Sequence, residues 1–226
     1  MQAMILAAGR GERMRPLTDT LPKPLLEVGG KPLIVWHIER LASVGITDIV
    51  INYAWLGHKF PEILGDGSQF GVDIRYSPEE NGLETAGGIA NAIDLLGKSP
   101  FLVMNGDVWC DWNPINAMSK VTQLEQGKEQ AWLLMVNNPA HNPNGDFHLT
   151  SNGRLTSEGN NKLTFAGIGV YHPSLFSGIG KQTIAKLAPL LRLAMQKNAV
   201  LGTQHTGQWT DVGTQERLKA LDAQLK

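Results

Sequence analysis

The 226-residue sequence contains one cysteine, Cys110, so an internal disulfide framework like that of small secreted proteins is excluded. No apolar run approaches the roughly 18 residues of a membrane span, and none of the six histidines has the spacing of a zinc finger or an H-E-x-x-H motif. The first residues also lack the pattern of a signal peptide. We therefore expect a cytoplasmic protein with no membrane partner.

An excess of charge of either sign is also missing. Lysine and arginine total 20 and aspartate and glutamate total 21, which gives a net charge of −1. General nucleic-acid binders show a clear basic excess, so we expect no nucleic-acid partner. The hydrophobic share of 42% and the charged share of 18% are typical of a folded domain.

Short apolar segments alternate with helical periodicities along the first half of the chain. Ala3–Ala8 is predicted as a buried strand that runs into Gly9, and residues 31–45 have the apolar spacing of a helix. Further strands are predicted at 48–53, 72–76 and 101–104, with a helix at 86–97. This order predicts a Rossmann-like α/β fold, with a mostly parallel sheet covered by helices.

The pattern loosens after Asp111, where turn-rich segments separate shorter strands. Strands are predicted at 131–137, 147–150, 155–156 and 163–171, and helices at 186–197 and 214–225. No linker, repeat or low-complexity segment divides the chain. We therefore expect a single domain whose second half adds a smaller β-rich lobe.

The segment that follows the first strand, Leu6–Pro16, has the composition of a phosphate-binding loop. Gly9 and Gly11 let the backbone approach a ligand, and successive backbone N–H groups in such a turn form an anion-binding concavity. The loop is neither a dinucleotide-binding fingerprint nor a P-loop, since Met14 stands where a third glycine would fall and no Gly-Lys-Ser/Thr follows. An ordinary strand-exit turn is the alternative for the glycines alone.

Basic side chains strengthen the phosphate interpretation. Arg13 and Arg15 supply donors suited to phosphate oxygens, and Lys23 is held between two prolines in L-P-K-P-L-L. Two carboxylates are candidate ligands for Mg²⁺, because Asp107 follows a buried strand and Asp211 precedes the last helix. Taken singly, each aspartate is also compatible with a turn or a helix start.

Residues 4–26, M-I-L-A-A-G-R-G-E-R-M-R-P-L-T-D-T-L-P-K-P-L-L, resemble the signature of the sugar-1-phosphate nucleotidyltransferases. The resemblance implies the nucleotide-diphospho-sugar transferase fold, with a nucleotide-binding part over about 1–112 and a sugar-binding part with the C-terminal helix over about 113–226. It implies that Arg15, Lys23 and Asp107 act in catalysis. The implied nucleotide contacts in this signature are Leu6, Ala7, Ala8, Gly9, Gly11, Glu12, Arg13 and Lys23.

The same resemblance assigns residues outside the signature. The Gly-Asp after a buried strand and the later W-T-D-V-G-T imply that Asp107 and Asp211 hold Mg²⁺. The loop L-E-T-A-G-G implies base contacts from Thr85 and Gly88, although Glu84 stands where the family often has Gly or Ala. The implied sugar contacts are Asn105, Asp146 and Gly167, and turn formation beside Gly145 is an equal alternative for Asp146.

Short segments such as N-Y-A-W-L-G and L-T-F-A-G-I are most similar to the uridylyltransferases of cell-wall recycling within this family. That similarity implies UTP and a sugar 1-phosphate as partners of a monomer or small homo-oligomer. The loop and metal motifs do not choose the sugar, so mannose 1-phosphate with GTP and glucose 1-phosphate with dTTP or UTP stay open. A nucleotide-sugar sensor without catalysis is a further alternative.

Overall fold

A computed structural model describes all residues from Met1 to Lys226. The strands are β1 (Ala3–Leu6), β2 (Glu27–Val28), β3 (Lys31–Pro32), β4 (Asp48–Tyr53), β5 (Asp73–Pro78), β6 (Phe101–Asn105), β7 (Val108–Cys110), β8 (Ala131–Val136), β9 (His148–Leu149), β10 (Leu155–Thr156), β11 (Thr164–Tyr171), β12 (Val200–Gln204) and β13 (Trp209–Asp211). The helices are α1 (Leu33–Ser43), α2 (Lys59–Leu64), α3 (Glu84–Asn91), α4 (Ile93–Leu96), α5 (Asn116–Gln126), α6 (Leu187–Gln196) and α7 (Gln215–Leu225). None of these helices has the length and apolar character needed to traverse a lipid bilayer.

Seven strands form one central sheet in the order β12-β8-β11-β6-β1-β4-β5. The pairs β6-β1, β1-β4, β4-β5 and β12-β8 are parallel, whereas β11 runs antiparallel to both of its neighbours. The predicted α/β class with a mostly parallel sheet is therefore confirmed. Strands β8, β11 and β12 extend this same sheet, so the irregular part of the second half is limited to the short β9-β10 pair. The division into nucleotide-binding and sugar-binding parts stays a prediction.

Several elements differ from the sequence prediction for local reasons. The helix predicted at 86–97 begins earlier, at Glu84, and breaks at Ala92 into α3 and α4. The pair β7-β13 was not predicted, because a three-residue strand is too short to display a two-residue period. Helix α5 was not predicted either, since only Ala117 and Leu124 of its residues are buried and its apolar face is narrow.

Alternate residues of each central strand pack into two different hydrophobic cores, one on each face of the sheet. Ile5 faces the core covered by α1, α2 and α5, whereas Met4 faces the one covered by α3 and α6. Because both faces are buried, the central strands are continuously apolar. A third, smaller cluster packs Leu221 of α7 against Met14 of the glycine loop and Trp109 of β7. This cluster attaches the C-terminal helix to the segment after β1.

His37 is buried in α1, and neither of its ring nitrogens has a hydrogen-bond partner. Burial lowers the pKa of His37 from 6.5 to about 4. In the unfolded chain the ring takes up a proton near pH 6.5, whereas the folded state resists protonation until about pH 4. The unfolded state therefore binds more protons as the pH falls, and the folded state loses stability through this window.

We expect His37→Leu to reduce the loss of unfolding free energy between pH 7 and pH 4.5. The complete difference in protonation of His37 between the unfolded and folded states changes the free energy of unfolding by about 3 kcal/mol. This value is the shift in the pKa of His37 converted at about 1.4 kcal/mol per pH unit. Urea denaturation at the two pH values measures it. His58→Leu is the matched control at an exposed histidine, and an equal pH dependence in both variants would contradict the assignment.

Candidate active site

Three central strands end side by side at the same edge of the sheet. Leu6, the last residue of β1, is in register with Asn52 of β4 and with Asn105 of β6. The carboxyl ends of parallel strands are where α/β proteins bind ligands. The glycine loop leaves β1 at this edge, and Gly11 adopts the left-handed φ of +65° that its turn requires. The topology therefore gathers the predicted loop and the predicted polar residues in one place.

A cavity of about 550 Å³ lies at this edge, and we call it the main pocket. Its volume is within the range of small-molecule sites. Predicted site residues that line it are Leu6, Ala7, Ala8, Gly9, Lys23, Thr85, Asn105 and Asp107. Arg10 and Asn52 line it as well and were not singled out from the sequence. Arg10 belongs to the glycine motif and could have been included, whereas only the strand register reveals Asn52.

Lys23 and Asp107 form an ion pair in the main pocket. Lys23 Nζ lies 2.6 Å from Asp107 Oδ2, and the lysine side chain is only 12% exposed. The short 3₁₀ helix Lys23–Leu25, flanked by Pro22, holds the lysine backbone in place. Asp107 follows β6 in a turn whose Gly106 N–H donates to Leu6 O at 2.8 Å. The pair is thus an anchored, partly desolvated pair of opposite charges.

A second cavity of about 290 Å³ continues from Lys23 along the glycine loop. Gly11, Glu12 and Arg13 line this phosphate-side cavity together with Arg10. Arg15, in contrast, is exposed and pairs with Asp19 at 3.2 Å, and it lines neither cavity. The structure therefore brings Arg13 near Lys23 and leaves Arg15 at the surface.

Asp211 reaches the neighbourhood of Asp107 through the unpredicted pair β7-β13. Asp211 is in register with Val108, and the Val212 N–H donates to the Asp107 carbonyl at 2.7 Å. The two carboxylates have different partners, since Asp211 Oδ1 lies 2.6 Å from Arg217 Nη1 and 3.1 Å from His141 Nε2. Asp211 lines a third cavity of about 390 Å³ beside the main pocket. The backbones of the two aspartates are neighbours, although their carboxylates face different cations.

Each of these two carboxylates keeps one oxygen without a protein partner. Asp107 bonds through Oδ2 and Asp211 through Oδ1, which leaves Oδ1 of Asp107 and Oδ2 of Asp211 available. Two hard carboxylate oxygens, one from the turn after β6 and one from the end of β13, are a donor set suited to Mg²⁺. A metal role for Asp107 and Asp211 stays a prediction that this donor chemistry fits.

The predicted sugar contacts differ in their positions. Asn105 lines the main pocket, and Gly167 packs against it with a φ of +74°. A Cβ at Gly167 would lie 2.7 Å from Asn105 Nδ2, so only glycine leaves the amide its room. Asp146 lines none of the cavities described above, and both of its oxygens are used: Oδ2 accepts from the Phe165 N–H at 2.8 Å and Oδ1 from Asn142 Nδ2 at 3.2 Å. This geometry matches the turn-forming alternative for Asp146.

The loop before α3 and the first residues of α3 form a second wall of the main pocket. Thr85 and Glu84 line it, whereas Gly88 is buried inside α3 and does not. Glu84 has a left-handed φ of +62°, a conformation that glycine adopts without cost. That backbone explains why glycine is a natural residue at this position and why Glu84 is a departure.

Outside the main pocket, Cys110, Asp111 and His205 bring three metal-ligating atoms within 4.8 Å of one another. Burial raises the pKa of the Cys110 thiol to about 11, so the thiol is protonated at neutral pH. A nucleophilic role for Cys110 is therefore disfavoured. The sequence spacing gave no signal for this cluster, because His205 is distant in the chain.

Comparisons with known proteins agree with this geometry. The family model described as nucleotidyl transferase matches residues 2–226. An N-acetylmuramate alpha-1-phosphate uridylyltransferase from Neisseria meningitidis serogroup B is 57% identical over 226 residues, which cover 99% of this chain and 97% of that protein. A mannose-1-phosphate guanyltransferase from Schizosaccharomyces pombe is 32% identical over 94% of this chain, which spans only 61% of its length.

A solved structure from Bacillus anthracis, named after glucose-1-phosphate thymidylyltransferase, superimposes with a TM-score of 0.86. The alignment covers 100% of this chain and 95% of that chain at 23% identity. At that level of identity the likeness supports the fold alone. The expected nucleotide-diphospho-sugar transferase architecture is thereby confirmed.

We expect Gly167→Ala to lower the free energy of unfolding by about 2–5 kcal/mol. A left-handed alanine costs roughly 1–2 kcal/mol, and the new methyl group must also displace the Asn105 amide at roughly 1–3 kcal/mol. Gly153→Ala is the matched control, because Gly153 has a φ of +78° and its nearest Cβ neighbour is 3.9 Å away. Urea denaturation compares the two, and equal losses would argue against a packing role for Gly167.

Proposed function

The chain belongs to the nucleotidyl transferase family, and from this premise we propose that it transfers UMP from UTP to N-acetylmuramate α-1-phosphate. The products are UDP-N-acetylmuramate and pyrophosphate, in the context of cell-wall recycling. The observation that carries this choice of substrates is the 57% identity with the Neisseria uridylyltransferase over nearly the whole of both chains. The fungal mannose-1-phosphate guanyltransferases are more distant and considerably longer than this chain.

The reaction requires no nucleophile from the protein. A phosphate oxygen of the sugar 1-phosphate forms a bond to the α-phosphorus of UTP, and the bond from that phosphorus to the bridging oxygen breaks. The bridging oxygen leaves with the β- and γ-phosphates as pyrophosphate. Because the attacking group is already anionic, a strong general base is also unnecessary. The obstacle is the repulsion between two anions, which positioning and fixed positive charge can overcome.

The residues of the main pocket and the phosphate-side cavity supply this fixed charge. Lys23 lies where the two cavities meet, so we assign it to the phosphates of UTP. Arg10 and Arg13 border the same space, and the backbone N–H groups of the glycine loop, from Ala8 to Gly11, add further donors. As Lys23 turns toward phosphate, it releases the Asp107 carboxylate that it holds in the free protein.

Members of this family generally use a divalent metal, and we assign Mg²⁺ to Asp107 and Asp211. The free carboxylate oxygens of these two residues would hold it. When bound, the metal would supply positive charge between the two phosphate groups. Arg217 and His141 both pair with Oδ1 of Asp211 in the free protein, so this pairing leaves Oδ2 as the oxygen that would hold the metal.

The remaining walls of the main pocket divide between base and sugar. We assign Thr85 and the Gly82–Leu83 backbone to the uracil base and Asn105 to the sugar, and all of them line the main pocket. Gly167 supports the sugar side by leaving Asn105 its room. The Asp146 carboxylate accepts a hydrogen bond from the Phe165 N–H and thereby holds the backbone of β11 in place.

A panel of substrates tests the proposal through the release of pyrophosphate. N-acetylmuramate α-1-phosphate, mannose 1-phosphate and glucose 1-phosphate are each offered with UTP, GTP and dTTP. The highest kcat/KM is expected for the first sugar with UTP. A higher value for another pair would reassign the substrates within the family, and nucleotide binding without pyrophosphate under any pairing would indicate a sensor.

We expect Lys23→Ala and Asp107→Asn each to lower kcat by roughly 10²–10³-fold, because one preorganised electrostatic contact is usually worth that much. Steady-state release of pyrophosphate measures both. Lys59→Ala is the control, since Lys59 pairs with Glu62 on the surface and a surface ion pair contributes little. Turnover within about threefold of the parent in either pocket variant would refute the assigned role.

The two arginines of the signature can be separated by experiment. The sequence pattern predicts a phosphate contact for Arg15, whereas the cavity beside Lys23 is lined by Arg13. We expect Arg13→Ala to reduce kcat/KM for UTP at least roughly tenfold, the effect of a lost charged contact of about 1.4 kcal/mol. Arg15→Ala is expected to remain within about threefold, and the reverse order of the two losses would reinstate Arg15.

A further inference from the structure

A buried chain of hydrogen bonds joins the two loops that face each other across the main pocket. Asn52 Oδ1 accepts from the Ala7 N–H at 2.9 Å, and Asn52 Nδ2 donates to Glu79 Oε1 at 2.6 Å. Glu79 Oε2 then accepts from the Leu83 N–H at 2.9 Å. We call this arrangement the Asn52–Glu79 clasp. It connects the start of the glycine loop with the end of the loop before α3.

The two side chains of the clasp are inaccessible to solvent. Asn52 is 3% exposed and Glu79 is 6% exposed, and no lysine or arginine pairs with the Glu79 carboxylate. Burial raises the pKa of Glu79, which shows that the surroundings oppose its charge. A buried carboxylate that has only dipolar partners is a costly way to stabilise a fold. A role in fixing geometry accounts better for its presence.

Helix α3 packs its backbone directly against the clasp at Gly88. A Cβ at this position would lie 2.7 Å from Glu79 Oε1 and 2.8 Å from Asn52 Nδ2. Glycine at this position therefore leaves room beneath α3 for the hydrogen bond between Asn52 Nδ2 and Glu79 Oε1. This contact explains why the second glycine of L-E-T-A-G-G, Gly88, is a glycine even though it does not line the main pocket.

The hydrogen-bond pattern requires one amide and one carboxylate. Both ends of the clasp are backbone donors, the N–H groups of Ala7 and Leu83. If both side chains of the clasp were amides, there would be one donor too many, and two N–H donors would face each other with no acceptor between them. One amide and one carboxylate satisfy every group, in either order along the chain of bonds.

We propose that Asn52 and Glu79 are positioning residues for the nucleotide, which set the distance between the glycine loop and the base-side loop of the main pocket. Glu79 does not line the main pocket, so it acts through the loops that it joins. The inference rests on the proposed function, because the ligand that is positioned is the nucleotide. It adds the requirement that the two loops move as one unit.

The test compares three variants with the parent enzyme. Glu79→Gln places two donors face to face and is expected to raise KM and Kd for UTP about tenfold or more, the effect of roughly 1.4 kcal/mol, near the low end for an unsatisfied buried donor. The double variant Asn52→Asp with Glu79→Gln moves the carboxylate to the other position and restores every bond. Its KM and Kd are expected to fall at least about threefold below those of Glu79→Gln; they are not expected to equal the parent values, because Asn52 lines the main pocket and its position would carry the relocated charge. Gly88→Ala adds a methyl group and is expected to behave like Glu79→Gln.

Two further measurements separate positioning from a general loss of stability. Glu79→Gln is measured at a temperature below its melting transition, where it is folded. Its KM for the sugar 1-phosphate and its kcat at saturating UTP are expected to stay within about threefold of the parent values. Glu80→Gln removes the same charge from the exposed neighbouring residue and is expected to match the parent.

Unchanged UTP binding in Glu79→Gln, or a double variant that binds UTP no better than Glu79→Gln, would overturn the clasp. If the parent enzyme binds another nucleotide more tightly than UTP, UTP is refuted as the substrate. The same variants are then measured with that nucleotide, which tests the clasp separately. A parent that binds no nucleotide at all would end both proposals.

Discussion

The pairing of Lys23 with Asp107 at 2.6 Å stands at the centre of the site, and the surrounding elements are arranged to keep it there. The lysine is held by a short proline-flanked helix, and the aspartate by a turn that is bonded to the end of β1. A Cβ at Gly106 would lie 2.8 Å from the Leu6 carbonyl, so the turn approaches the strand as closely as glycine allows. The two charges compensate each other within the main pocket.

The sheet and its cores give this pair a rigid frame. Parallel strands β4, β1 and β6 end together, and both of their faces are buried under helices. The small cluster around Met14, Trp109 and Leu221 ties the glycine loop and β7 to the last helix. Through the pair β7-β13 the same region carries Asp211. The charged groups therefore sit on loops whose ends are fixed by packing, as preorganised catalysis requires.

Local sequence patterns predicted most of the fold. The strands at 48–53 and 155–156 coincide with the structure, and the helices near 33–43, 187–196 and 215–225 are recovered to within a few residues. These segments carry a complete apolar period or clear turn residues, so their structure is decided locally. The pair β7-β13 and helix α5 carried no such signal, because their order depends on partners distant in the chain.

The sequence by itself determined the chemistry of this protein: a glycine loop, basic side chains around it, and two aspartates at strand or helix boundaries. Only the tertiary structure decided which of these groups meet. It placed Arg13 on the same cavity as Lys23 and paired Arg15 with Asp19 instead, used the two oxygens of Asp146 to join Asn142 to β11, and buried Gly88 against Asn52 and Glu79. The reason is that a motif specifies donor types and spacing along the chain, whereas direction and burial follow from strand register and helix packing.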